Sequence, residues 1–102
     1  MNPHQLTLHA FQSHIAERYL ATDKARGPAK TFLYLTEEFG ELATAIAQTD
    51  KSPNDPATRA NLEEEFADVI AWLCTMANIL DVDLSKALHD KYLGTSRPEG
   101  TK

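Results

Sequence analysis

Apolar residues return at three- and four-residue steps along most of this chain, and no stretch alternates as a strand would. The pattern predicts four helices and no sheet. The first runs from about Pro3 to Thr22, with Asn2 as N-cap, Pro3 at its first position and a stripe of Leu8, Phe11, Ile15 and Tyr19. A polar connector, residues 23–27, precedes a second helix from Pro28 to about Thr49. Its apolar stripe is Phe32, Leu35, Phe39, Leu42 and Ile46, whereas Glu38 and Glu41 share another face with Tyr34 and Ala45. The segment 51–56 is a break, and Asp55 followed by Pro56 reads as the start of a third helix reaching about Leu80. Leu62, Phe66, Val69 and Leu73 line one side of it; Asn61, Glu65, Asp68 and Trp72 line another. Asp83 is placed to cap a short fourth helix, Leu84 to Leu93, stopped by Gly94, with a loose tail from Thr95 onward.

From Phe66 to Leu80 the third helix is apolar almost all round, so it must be covered on several sides. A chain of 102 residues has few helices to do this. The expected architecture is therefore an all-α, four-helix bundle-like single domain completed by homo-oligomerisation, with residues 1–10 and 95–102 peripheral.

Composition narrows the functional classes. The net charge of −5 argues against a nucleic-acid partner. No run approaches the ~18 apolar residues of a membrane span, and Met1 to Gln5 lack the basic and apolar regions of a signal peptide. A cytoplasmic protein without a membrane partner is expected. The single cysteine, Cys74, sits in apolar sequence and reads as a buried structural thiol. Charge is unevenly spread: nine of the fifteen acids fall between residues 37 and 68, against only Lys51 and Arg59. An acidic centre with bases outside it suits a metal–phosphate ligand.

The chemistry lies in two short motifs, Glu37-Glu38-Phe39-Gly40-Glu41 and Glu65-Phe66-Ala67-Asp68. Carboxylates three residues apart share a helix face, and carboxylates set in apolar sequence are costly unless paired or metal-bound. A solvated helix face would carry Lys or Arg at four-residue spacing, yet residues 31–48 contain no base. Glu38, Glu41, Glu65 and Asp68, converging from two helices, make a site for a hard cation, Mg²⁺ with Mn²⁺ as a substitute. Glu37 reads as an extra ligand, a supporting partner or a base. Gly40, which weakens a helix, marks either a close backbone approach or an incidental residue. Arg26, Lys30, Lys91 and Arg97 are candidate phosphate contacts, though each alone reads as readily as a solvated charge. Trp72 and Tyr34 read first as packing residues and second as a platform for a base. His4, His9, His14 and His89 have no metal-ligand spacing, and no Gly-rich phosphate loop, nucleophilic serine motif or Cys/His zinc pattern occurs.

At these residues the sequence resembles the MazG-like nucleoside triphosphate pyrophosphohydrolases of the all-α NTP pyrophosphatase superfamily. The likeness rests on Glu37-Glu38-x-x-Glu41, a gap of twenty-three residues, then Glu65-x-x-Asp68. Leu33-Tyr34-Leu35-Thr36, Leu42-Ala43, Val69-Ile70-Ala71-Trp72-Leu73 and the connector Asp23-Lys24-x-Arg26-Gly27 extend it. The resemblance implies hydrolysis of NTPs or dNTPs to the monophosphate and pyrophosphate with Mg²⁺, for house-cleaning or nucleotide-pool control. It implies metal ligation by Glu38, Glu41, Glu65 and Asp68, with Glu37, Glu38 or Glu41 as proton acceptor. Substrate contacts would come from Lys30, Lys91, Arg97 and Trp72, and sites would be built where subunits of a dimer or tetramer meet. Thr95 stands where the family has Asn, and the Lys91–Arg97 spacing is one residue short. Two rival readings are a phosphoribosyl-ATP pyrophosphohydrolase, which would carry His where Trp72 stands, and a non-catalytic helical module that binds nucleotide or a partner.

Overall fold

The computed structural model of the chain describes residues 1–94. These are helical throughout, with no strand among them: α1 (Leu8–Arg26), α2 (Pro28–Lys51), α3 (Pro56–Ile79) and α4 (Leu84–Leu88). The last is followed by a π-helical turn, His89–Leu93. No helix among the described residues is long and apolar enough to cross a membrane.

The start of the first helix differs from expectation. Asn2 and Pro3 do begin a helical turn, but it is a short 3₁₀ turn, Pro3–Gln5, closed by a capping box between Asn2 and Gln5. Leu6 then turns extended, and Thr7 is the cap of α1, its hydroxyl accepting the Ala10 N–H at 3.0 Å. The end of α1 also differs. The expected connector 23–27 is mostly helix, because Arg26 reaches back one turn and donates to Asp23 at 2.7 Å. Only Gly27 breaks the helix, with φ of +86°, a value that excludes an ordinary side chain. It closes α1 and, with Pro28 in the first turn of α2, opens the next helix. The fully buried Thr31 hydroxyl locks this joint, donating to the Gly27 carbonyl at 2.7 Å and accepting from Arg26 Nε at 2.8 Å. Asp55 and Asp83 cap α3 and α4 as the sequence predicts.

α3 is the central element, with α2 packed along one side and α1 along another. The α2 face turned inward is not its most apolar one. Its shielded positions are Thr31, Tyr34, Leu35, Glu38, Leu42, Ala45 and Thr49, while Phe32, Phe39 and Ile46 stand about half exposed. On α3, Phe66, Ile70 and Leu73 are likewise exposed, and Val69, Cys74 and Ala77 are buried. The buried thiol of Cys74 is held above its ordinary pKa by desolvation, which suits the structural reading. Gly40 is exposed, and a Cβ added there would meet nothing within 4 Å in this chain.

A polar clamp ties the far ends together. Gln12 of α1 is buried, and its amide nitrogen donates to Asn78 Oδ1 and to the Val82 carbonyl. Its amide oxygen accepts the Leu84 N–H at 3.0 Å, and Asn78 Nδ2 donates back to the Gln12 carbonyl. The turn held this way includes Asp81 at φ +58°, an uncommon value outside glycine. Gln12→Leu removes the three bonds made by the Gln12 amide and leaves the part-buried Val82 carbonyl and Leu84 N–H without that partner, while the Asn78 bond to the residue-12 carbonyl can remain. It should destabilise the fold by about 2–3 kcal/mol in urea denaturation, with unchanged helical content in the surviving native state. Gly40→Ala should add about 0.5–1 kcal/mol in the same assay, unless another molecule is pressed against that face; a loss of stability would reveal such a contact.

Candidate metal centre

α2 and α3 run antiparallel, and their seam sets the site. Tyr34 and Trp72 meet edge-on with ring centroids 5.6 Å apart. As α2 advances from Tyr34 to Glu38 and Glu41, α3 recedes from Trp72 to Asp68 and Glu65. The two carboxylate pairs are thereby brought opposite one another, one turn from the aromatic contact. A carboxylate oxygen from each of Glu38, Glu41, Glu65 and Asp68 lies within 4.8 Å of the others. Glu38 occupies a position of the shielded α2 face where a helix pair would ordinarily hold an apolar residue.

The electrostatics are unbalanced. No Lys, Arg or His forms an ion pair with any of the four among the described residues. Glu38 and Glu65 are half-buried, and in each one carboxylate oxygen, Oε2, is buried without a hydrogen-bond partner among the described residues. Desolvation, then the negative charge of Glu41 and that of Asp68, holds the Glu38 carboxyl above its ordinary range. Desolvation first, followed by Glu41, does the same to Glu65. Orphaned oxygens, mutual repulsion and a missing counter-charge are together what a divalent cation of oxygen preference would relieve. The donor set fits Mg²⁺ or Mn²⁺.

The remaining residues singled out by sequence are placed as follows. Glu37 is exposed, adjacent in sequence to the cluster but outside it. Lys30 is exposed in the first turn of α2. Lys91 is exposed in the π turn, with Nζ 5.2 Å from the Tyr92 ring. That turn follows α4, which packs on α1. Arg97 and Thr95 lie outside the described residues. Trp72 is half-buried at the edge of the seam. Arg26 is not a free phosphate ligand in this chain: it pairs with Asp23, bonds Thr31, and lies over the Tyr34 and Trp72 rings at 5.7 and 5.3 Å from their centroids. Sequence reading named Arg26 but passed over Asp23, which is 5% exposed. The three-residue spacing between them was the available signal.

The family model for the MazG nucleotide pyrophosphohydrolase domain matches residues 26–93, a span containing both acidic motifs. Among curated proteins, none matches the chain.

The raised carboxyl groups have a signed consequence for stability without metal. A group held above its ordinary pKa of 4.5 stabilises the fold while protonated and loses that contribution as pH rises through its raised value. In EDTA, Glu38→Gln should therefore melt higher than the unaltered protein, and the gap should widen as pH climbs from about 4.5 toward neutrality. Mg²⁺ should raise the melting temperature of the unaltered protein and shift that of the variant much less. Differential scanning fluorimetry across pH, with and without Mg²⁺, reads both effects.

Proposed function

Since the chain belongs to the MazG nucleotide pyrophosphohydrolase domain family, we propose that it hydrolyses nucleoside triphosphates, NTP or dNTP, to the monophosphate and pyrophosphate. The observation that carries this reading is the four-carboxylate seam without a counter-charge. Glu38, Glu41, Glu65 and Asp68 hold Mg²⁺, for which Mn²⁺ can stand in. When bound, the metal supplies positive charge against the phosphate oxygens and lowers the pKa of water.

The chain's own residues supply position and proton transfer. Rigid helix faces fix the four carboxylates, so the reacting phosphate is oriented without reorganising the protein. Attack of water at the α-phosphorus forms one P–O bond and breaks the bond to the departing pyrophosphate, and the water proton passes to a carboxylate. Glu37, exposed beside the cluster, is available for that transfer, as are Glu38 and Glu41. Lys30, Lys91 and Arg97 are proposed to hold the phosphates, and Trp72 to contact the nucleoside.

A homo-oligomer, dimer or tetramer, belongs to the same reading. Phe32, Phe39 and Ile46 recur every seven residues on α2, as Phe66 and Leu73 do on α3 with Leu80 at its C-cap, and all six are exposed. Such stripes favour packing against further helices. A second copy would cover them and bring more side chains toward the carboxylates. The role suggested by this chemistry is nucleotide-pool control or house-cleaning in the cytoplasm, with no nucleic-acid or membrane partner.

The test is pyrophosphate release from a panel of NTPs and dNTPs. Release with Mg²⁺ that EDTA stops is the expected result, and Glu41→Ala or Asp68→Ala should lower it by at least about 10²-fold without altering the helical circular dichroism. Full activity in either variant would remove the site. Light scattering should give a mass above that of the 11.3 kDa chain; a monomer at all concentrations would remove the oligomer.

A further inference from the structure

Arg26, in the last turn of α1, joins the three long helices at one point. Within α1, its Nη2 donates to Asp23 Oδ1 at 2.7 Å. Its Nε donates to Thr31 Oγ1 of α2 at 2.8 Å. The guanidinium carbon stands 5.7 Å from the ring centroid of Tyr34 on α2 and 5.3 Å from that of Trp72 on α3. Those rings meet each other edge-on at 5.6 Å, so the cation and the two rings are in mutual contact. A cation over a ring is attracted by the ring's quadrupole, most strongly where water is excluded. Here the side chains of Arg26 and Asp23 are only 17% and 7% exposed, and Thr31 is fully buried. Two hydrogen bonds hold the planar fork in one orientation.

This contact lies next to the place where α2 and α3 repel. Tyr34 precedes Glu38 by one turn, and Trp72 follows Asp68 by one turn, so each ring shares a helix face with a carboxylate pair. Oxygens of the four carboxylates lie within 4.8 Å of one another, and no ion pair joins α2 to α3 among the described residues. Like charges at that separation favour an opening of the seam. The Tyr34–Trp72 contact, with Arg26 across both rings, opposes that opening at its nearest end.

We infer that Arg26 is a positioning residue of the metal centre: held by Asp23 and Thr31, it clamps Tyr34 to Trp72, fixes the spacing of Glu38 and Glu41 against Glu65 and Asp68, and so favours a cation that demands strict geometry. The inference rests on the metal site of the proposed hydrolysis and deepens it, because it assigns cation selectivity to a side chain that touches no metal ligand. Mg²⁺ demands near-ideal octahedral coordination, whereas Ca²⁺ accepts irregular and variable oxygen shells. Selectivity between them therefore depends on how rigidly the donors are held, and a clamp one turn away is what supplies that rigidity here. Loosening it lets the carboxylates move apart, which costs Mg²⁺ more than Ca²⁺.

Three variants separate the clamp from the rest of the joint. Arg26→Lys keeps a charge opposite Asp23, but an ammonium cannot bond Asp23 and Thr31 as a fork while lying flat on two rings. Tyr34→Leu removes the ring on α2 and leaves the ion pair intact. Tyr34→Phe keeps the ring. Mn²⁺ binding without nucleotide, read by electron paramagnetic resonance and competed by Mg²⁺ or Ca²⁺, measures the site without turnover. Arg26→Lys and Tyr34→Leu should weaken Mn²⁺ and Mg²⁺ binding at least about tenfold and lower the ratio of Mg²⁺ to Ca²⁺ affinity by a similar factor. Tyr34→Phe should bind as the unaltered protein does. A joint serving stability alone would lower the melting temperature of the variants and leave the affinities of the folded protein unmoved. Unmoved affinities, or equal losses for Mg²⁺ and Ca²⁺, in the folded variants would overturn the inference. If Arg26→Lys does not fold, Tyr34→Leu decides. Absence of Mn²⁺ binding by the unaltered protein would remove the metal centre and the clamp's role together. Pyrophosphate release that needs Mg²⁺, with affinities unmoved by the variants, would overturn the clamp and leave the hydrolysis. Shifted affinities in a protein that releases no pyrophosphate would uphold the clamp and remove the hydrolysis.

Discussion

Four carboxylates held in one helix seam with no base among them is the constraint around which this domain is arranged. A helix pair of this length would be expected to close its seam with apolar side chains. Here Glu38 and Glu65 occupy shielded positions, each with an oxygen that nothing among the described residues satisfies. The groups are flanked along the seam by packed positions: Tyr34 against Trp72 on one side, and the shielded Leu42, Ala45 and Leu62 toward the other. The fold thus stores unfavourable electrostatics at one place and spends its packing on keeping that place intact, as expected where a site binds a cation.

The arrangement around the seam follows from the same geometry. Since α2 turns Glu38 inward, its aromatic stripe, one residue further round the helix, is turned outward. The chain therefore has a small buried core, Ile15, Leu35, Ala45, Val69, Cys74 and Ala77, and a large exposed apolar surface. Much of the holding together of α1 falls to polar groups instead. Gln12 and Asn78 clamp one end, and Asp23, Arg26 and Thr31 lock the other. The second lock also fixes Arg26 over the aromatic contact, so the joint between α1 and α2 and the Tyr34–Trp72 edge of the metal centre are one structure.

Motif spacing made the carboxylate cluster legible in the sequence. Two residues three apart on each of two helices define a face on each, and the absence of bases between residues 31 and 48 already implied a missing cation. The caps Asp55 and Asp83 were legible for the same local reason: a side chain and the backbone N–H it accepts are three residues apart. Asp23 was legible only through its three-residue spacing to Arg26, and Gln12 was not. Gln12 looks like an ordinary polar residue of a surface helix, and its partner groups at Asn78, Val82 and Leu84 are joined to it only once α1 lies on α3.

Sequence by itself determined the helical class, the ends of α3, the start of α4, and which acids belong together, because all of these depend on periodicity and on contacts within a turn or two; the helix expected to run to Leu93 instead passes into a π turn after Leu88. Tertiary structure decided which face of α2 is inside. Hydrophobic periodicity favoured Phe32, Leu35, Phe39, Leu42 and Ile46; packing on α3 kept Leu35 and Leu42, joined Thr31, Glu38 and Ala45 to them, and left Phe32, Phe39 and Ile46 exposed. Both stripes recur at helical spacing, and the pattern along one helix cannot state what lies opposite it. That is fixed by the antiparallel register of α2 against α3, a relation between residues more than twenty positions apart that exists only in the folded chain.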